Sequence, residues 1–535
     1  MSLFCKRKLS MALFGAVLLL FSGVSPVLAL PDSARAMAAF SEKDPTFFYV
    51  GLADARQFAG SLGRSELVRL LVDNRPDYEF FRSFLKDFPA KDFTLMLSDT
   101  GEHGVTFQLA IAFGEDKRAI LDKIAARTAA ATDIVELLGG EAFLLDVLDL
   151  YVPESEDEFY EFTTFDLYFS SFENLLILGS HESAVERSIA AGKNRFRRQK
   201  LDFKGKDDNV LFVRVGEEMS SEIFGSETQG HVYFEGDVAR VPGGWDMELH
   251  TNAVNAFRGE RYVDVAYEKN PGTFFNAGGG RLVAAVDSTP DLKRLLGQRG
   301  PMAGISRGID EMMAMAAEKL GKHRAEELGE ALTALDRLNL AMTTGEDGPS
   351  DLRAYAFLSS REDGESERLG KLVSELIDVY NDSPEAEGRF ESIDLPGWSR
   401  AYELPLPEET PVFTNDSRLV LAFGPEGLFA GLMPDALVET KFGSDSELYG
   451  EISTAKNVIE VVYLDMRALR KIAKLAVDSV GIRRQGRLML ATMMIPLIDV
   501  REIGMQTHAI DHFSLQFRTG WLDFEERDFV RGLLW

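Results

Sequence analysis

Cysteine is all but missing from this 535-residue chain, which holds only Cys5. A single thiol forms no disulfide framework within the chain and no cysteine metal site. Stability must then come from buried apolar area, and 45% hydrophobic residues in a chain this long is ample. Positive charge is also scarce. Lys and Arg number 58 against 86 Asp and Glu, for a net charge of −28. A field of that sign repels DNA, RNA and anionic membrane surfaces and favours solubility, so nucleic acid is set aside as a partner. Long apolar runs are lacking too. Beyond the N-terminal segment the longest is Leu488–Ile498, broken by Pro496 and short of the ~20 residues a bilayer needs. No transmembrane segment is expected in the mature chain.

The first 29 residues read as an address. Lys6, Arg7 and Lys8 form a basic start, Met11–Phe21 an apolar core, and Val27-Leu28-Ala29 a small-residue ending. That three-part pattern is a signal peptide cleaved near Ala29, so the protein is expected to be exported to the periplasm or cell envelope. Cys5 precedes the apolar core, which rules it out as the acylated cysteine of a lipoprotein. Cleavage removes that thiol, which suits an oxidising compartment.

Downstream, apolar β-branched runs turn into helical patterns at four places, near residues 46, 209, 282 and 457. In Asn457–Val477 the run Val458–Tyr463 turns at Leu464-Asp465, and Met466, Leu469, Ile472 and Leu475 then share one helical stripe. Two of the four carry Asp-x-Arg at the turn, Asp54-Ala55-Arg56 and Asp465-Met466-Arg467. The order strand, turn, strand, helix over 93–127 recurs over 338–380. These echoes predict an internal duplication, with one lobe over 30–253 and a second over 254–535 that carries helical insertions at Ser306–Leu328 and Arg483–Ile503. Hairpins followed by helices predict an α+β fold of two similar lobes, each a mainly antiparallel sheet with helices packed on one face.

Motifs that carry chemistry are few. His508 and His512 are the one close histidine pair. Read within a single strand, their rings lie ~13 Å apart, too far to hold one ion, so no metal site is expected. Gly304-Ile305-Ser306-Arg307-Gly308 has a nucleophile-elbow spacing. It lacks the preceding buried strand, and Ser306 is better explained as a helix cap. Gly278-Gly279-Gly280 has neither the lysine of a phosphate loop nor the spaced glycines of a dinucleotide fold. The acidic loop Pro153–Glu158 lacks the ligand spacing of an EF-hand. The one basic cluster includes Arg195, Arg197, Arg198 and Lys200, a candidate contact for an anion or an acidic partner. No catalytic residue, metal ligand or cofactor is assigned.

The segments TFFYVGLADARQF and NVIEVVYLDMRAL, each an apolar strand turning into a helix at Asp, resemble those of secreted bacterial proteins of unknown function built from repeated strand-then-helix units. The resemblance covers the plan of most of the mature chain and implies no catalytic site. The expectation is an exported, non-catalytic binding protein whose ligand is an apolar molecule such as a lipid, or whose partner is an envelope protein. Two alternatives stand beside it. One is a hydrolase whose acid and base are drawn from scattered carboxylates, and the other is a structural component of an envelope assembly.

Overall fold

The fold is seen in a computed structural model. It describes residues 46–53, 90–99, 105–113, 132–137, 140–147, 165–172, 174–193, 211–217, 232–241, 243–252, 281–288, 313–314, 316–335, 337–345, 348–359, 364–382, 388–395, 398–405, 418–424, 427–433, 446–453, 458–480, 498–509, 511–523 and 526–529, with Arg64 and Arg69 besides. The chain divides into two compact bodies, one essentially Ala16–Ile223 with Glu227–Ala256 and the other Phe257–Trp535.

The first body contains β1 (Thr46–Ala53), β2 (Ala90–Asp99), β3 (Val105–Phe113), β4 (Thr132–Leu137), β5 (Gly140–Val147), β6 (Phe165–Phe172), β7 (Leu175–Gly179), β8 (Leu211–Val215), β9 (Val232–Val241) and β10 (Gly244–Thr251). They pair in the order β10-β9-β8-β1-β2-β3-β7-β6-β5-β4, and every ladder is antiparallel. Helix α1 (Glu182–Lys193) lays Val185 and Ile189 on Met96, Ala110, Ala112, Leu175 and Ile177. Those strand residues come from three neighbouring strands, so one helix seals the middle of the sheet.

The second body contains β11 (Arg281–Ser288), β12 (Arg337–Gly345), β13 (Gly348–Ser359), β14 (Glu391–Ile393), β15 (Arg400–Pro405), β16 (Arg418–Gly424), β17 (Gly427–Met433), β18 (Glu460–Asp465), β19 (Val500–Ala509) and β20 (His512–Thr519). Their order is β20-β19-β18-β11-β12-β13-β17-β16-β15-β14, again antiparallel throughout. Each strand sits where the strand ten numbers lower sits in the first body.

Helices α2 (Lys322–Thr333), α3 (Glu365–Asn381), α4 (Glu447–Ser453) and α5 (Met466–Val480) belong to this body. α2 and α3 bury Leu328, Ala331, Leu369 and Leu372 against Leu358 and Leu428. α4 buries Leu448 and Ile452 against Ala285, Val461 and Tyr463. Leu358 pairs with Leu428 in one row of the sheet, whereas Ala285 lies opposite Tyr463 in a row of the other parity. Successive residues of a strand point to opposite faces, so these helices cover opposite sides of the sheet.

The α+β expectation is corrected by these observations. The described residues form twenty strands against few helices, α1–α5 with short helical stretches at 316–320 and 526–529; the architecture is mostly antiparallel β, and in the second body helices lie on both faces of the sheet rather than on one. Residues 500–503, expected at the end of a helical insertion, open strand β19 instead. Residues Trp521–Asp523 follow β20 without belonging to a strand.

Candidate functional site

Small side chains recur at cross-strand positions of the second sheet. Ala284 stands opposite Met342, Met342 opposite Ala354, Ala354 opposite Leu432, and Leu432 opposite Leu419. The adjacent row of the same face runs Val286, Leu340, Ala356, Ala430 and Leu421. Both rows are wholly apolar. Where Ala284, Ala354, Ala356 and Ala430 fall, a methyl group leaves space that a larger side chain would fill.

The result is a groove of about 390 Å³ across β11, β12, β13, β17 and β16. Five strands at 4.7–4.9 Å spacing make it ~19 Å long, and Leu340 at its edge is 40% exposed. On the same face, α2 and α3 pack over the next row at Leu358 and Leu428, forming a bank along one side. Gly370 allows α3 to lie close, because a Cβ there would stand 2.6 Å from the Phe423 Cβ.

One row along that face from Val286 and Val462, Ser288 lies opposite Glu460. Burial pushes the Glu460 carboxyl above the usual glutamate range, and a hydrogen bond with Ser288 opposes that shift.

The buried charges of this body are held by partners. Arg337 grips Asp287 with two bonds, Nε to Oδ1 at 3.2 Å and Nη2 to Oδ2 at 2.7 Å. Asp465 ends β18 and caps α5: its Oδ1 accepts the backbone N–H groups of Arg467 and Ala468, each at 3.0 Å. Its Oδ2 accepts a bond from Arg281 at 3.0 Å. The Asp-x-Arg turn is therefore a helix N-cap, with Arg467 reaching on to Asp523 at 3.4 Å. Tyr449 and Tyr463 meet edge to face at 5.4 Å between ring centres. Burial, helped by the Asp287 charge, pushes the Tyr449 hydroxyl up to about 12. Burial likewise raises the Tyr463 hydroxyl, which donates to Glu502 at 2.7 Å.

His508 and His512 are brought together rather than held apart. They flank the tip of the β19–β20 hairpin, where Ala509 pairs with His512 and a register shift falls between Thr507 and Ala509. The bulge and the turn put the rings 5.1 Å apart between centres, which corrects the ~13 Å separation of a continuous strand. His508 Nε2 is hydrogen-bonded to Ser514 Oγ.

Arg195, Arg197, Arg198 and Lys200 lie outside the described residues, as do Asp54-Ala55-Arg56, the Gly304–Gly308 spacing, Gly278–Gly280, the acidic loop and the signal-peptide segment. Among the described residues no helix is long and apolar enough to cross a membrane, and no three His, Cys, Asp or Glu side chains gather as metal ligands do. The groove escaped sequence reading because Ala284, Ala354, Ala356 and Ala430 belong to three separate strands. Only the strand register aligns them.

Compared with known protein families, curated proteins and solved structures, the chain shows no match.

Proposed function

We propose that this is an exported protein of the periplasm or envelope that binds its ligand without transforming it, and that the ligand carries one extended apolar chain. The observation that supports this reading is the groove. It crosses five strands, and its lining residues are Ala, Val, Leu, Met and Gly alone. Its volume lies near the lower end of the ~300–1,000 Å³ usual for small-molecule sites, which suits a single chain better than a bulky ring system. Apolar burial supplies roughly 0.8 kcal/mol per methylene, about a fourfold gain in affinity for each carbon added. Cleavage of the basic leader expected at the N-terminus would deliver the chain to the compartment where such ligands are handled.

The test is native mass spectrometry of mature protein purified from its own periplasm, followed by organic extraction and a titration with straight-chain alcohols of increasing length. The proposal expects an extractable chain-bearing molecule, and affinity that climbs with length until the groove is full. An apo mass together with no binding of any alcohol would overturn it.

A further inference from the structure

At the tip of the β19–β20 hairpin the structure presents a second site, independent of the groove. His508 comes from the end of β19 and His512 from the start of β20. Their ring centres are 5.1 Å apart and the planes are inclined by 34°. Two imidazoles bonded to one tetrahedral ion through Zn–N bonds of about 2.0–2.1 Å have ring centres about 5.3 Å apart. The observed spacing of the ring centres is compatible with two imidazoles bound to one ion.

The hairpin builds this spacing deliberately. The register shift between Thr507 and Ala509 makes His508 the extra residue of a bulge, and a bulge re-aims the side chain it carries. Ser514, two residues into β20 from His512, holds the His508 ring at Nε2. Metal-binding imidazoles are commonly fixed in tautomer and orientation by such an outer hydrogen bond. Ser514 is itself buried, so this support is anchored in the body rather than hung on its surface.

We propose that His508 and His512 form a binding site for a divalent cation of the zinc, copper or nickel class, oriented by Ser514. Imidazole suits those ions, whereas calcium and magnesium prefer all-oxygen sites. Because no third His, Cys or carboxylate joins the pair among the described residues, water or an external ligand completes the coordination. The site is open and exchangeable rather than structural. An incoming molecule with a carboxylate, imidazole or thiolate could take those open positions.

The experiment titrates the mature chain with ZnCl2 by calorimetry and records Cu2+ electron paramagnetic resonance. Parallel samples carry His508→Gln, His512→Gln, both, or Ser514→Ala. The thermal unfolding curve of each variant confirms that it folds. The wild type should take up one equivalent of zinc that is missing from the double variant. Its copper spectrum should show coupling to two imidazole nitrogens, reduced to one in either single variant. Ser514→Ala should weaken binding roughly tenfold or more. An unchanged zinc equivalent and unchanged nitrogen coupling in the double variant would overturn the site. Equal affinity in Ser514→Ala would overturn the role given to that serine.

Discussion

The guanidinium of Arg470 and the carboxylate of Glu526, each only 1% exposed, meet at 3.0 Å. Arg470 Nε donates to Glu526 Oε1, and Nη1 donates to the Val500 carbonyl, both at 3.0 Å. The other carboxylate oxygen of Glu526 accepts the Asp523 backbone N–H, while Asp523 Oδ1 accepts the Glu526 N–H, each at 2.9 Å. That reciprocal pair is a capping box. One residue thus closes the turn at 523–526 and ties it to α5 and to the start of β19.

Removing one partner leaves a buried charge uncompensated. Burial pulls the Arg470 guanidinium below its ordinary value and Glu526 opposes that shift, so the pair holds together only as a pair. Glu526→Gln or Arg470→Met should cost about 3–5 kcal/mol in urea unfolding. The double change Arg470→Met with Glu526→Leu should restore much of that loss. Single variants within about 1 kcal/mol of wild type would contradict this account of the turn.

Acid should loosen the same turn. Burial works against the Asp523 anion, but the Glu526 backbone N–H, Lys471 and Arg467 together hold its carboxyl below the ordinary 3.8. A depressed carboxyl contributes stability that is present above its unfolded pKa and lost as pH falls through its folded pKa. The group is partly exposed, so solvent screens the effect to within about 1 kcal/mol. The wild type should lose more stability than Asp523→Asn between pH 5 and pH 2, on the order of that figure. Parallel acid profiles for the two proteins would remove Asp523 from the linkage.

Glu460 carries the opposite sign. Its carboxyl is raised by burial, so ionisation costs folded stability as pH climbs through the unfolded and then the folded pKa. Glu460→Gln should therefore stabilise the protein at pH 8 by about 1.4 kcal/mol for each pH unit separating the two pKa values. Near pH 3, where both states are protonated, the gain should vanish. Chemical denaturation at the two pH values measures this directly, and a pH-independent difference would contradict it.

Gly370 should tolerate no side chain. A Cβ there would meet Phe423 Cβ at 2.6 Å and Cγ at 2.9 Å, and in a close-packed interior such overpacking costs about 1–3 kcal/mol. Gly370→Ala is expected to fall in that range despite alanine's better helix propensity. A stabilised variant, read by thermal unfolding, would mean that α3 does not press on β16.

Strand positions were readable wherever alternation was uninterrupted. Val105–Phe113 is strand β3 over the same residues that its pattern marks, and the turn at Asp465 begins α5 because a carboxylate there satisfies two backbone donors. β19 was not readable. Register shifts between Val500 and Glu502 and between Thr507 and Ala509 break its period of two, so its apolar residues Val500, Ile503 and Met505 mimic no template. The same bulges hid the closeness of His508 and His512. α4, with seven residues, is too short to show a helical period. The sheet-dominated balance was missed because apolar runs ending in helices stand out in a sequence, while strands such as β14 and β19 have weak signatures. The groove is a property of register across five strands, which no local window contains.

The most direct measurement fills the groove from within. Ala356 and Ala430 face each other across β13 and β17 on its floor. Ala430→Phe should occupy part of the space that a ligand chain would take. Binding of a fluorescent twelve-carbon chain would be titrated for wild type and variant, with both unfolding curves recorded. The account predicts saturable binding by the wild type and at least a tenfold loss in the folded variant, the equivalent of about 1.4 kcal/mol or roughly two buried methylenes. Equal affinity in a variant that keeps its stability would place the chain elsewhere and contradict the groove as the binding site.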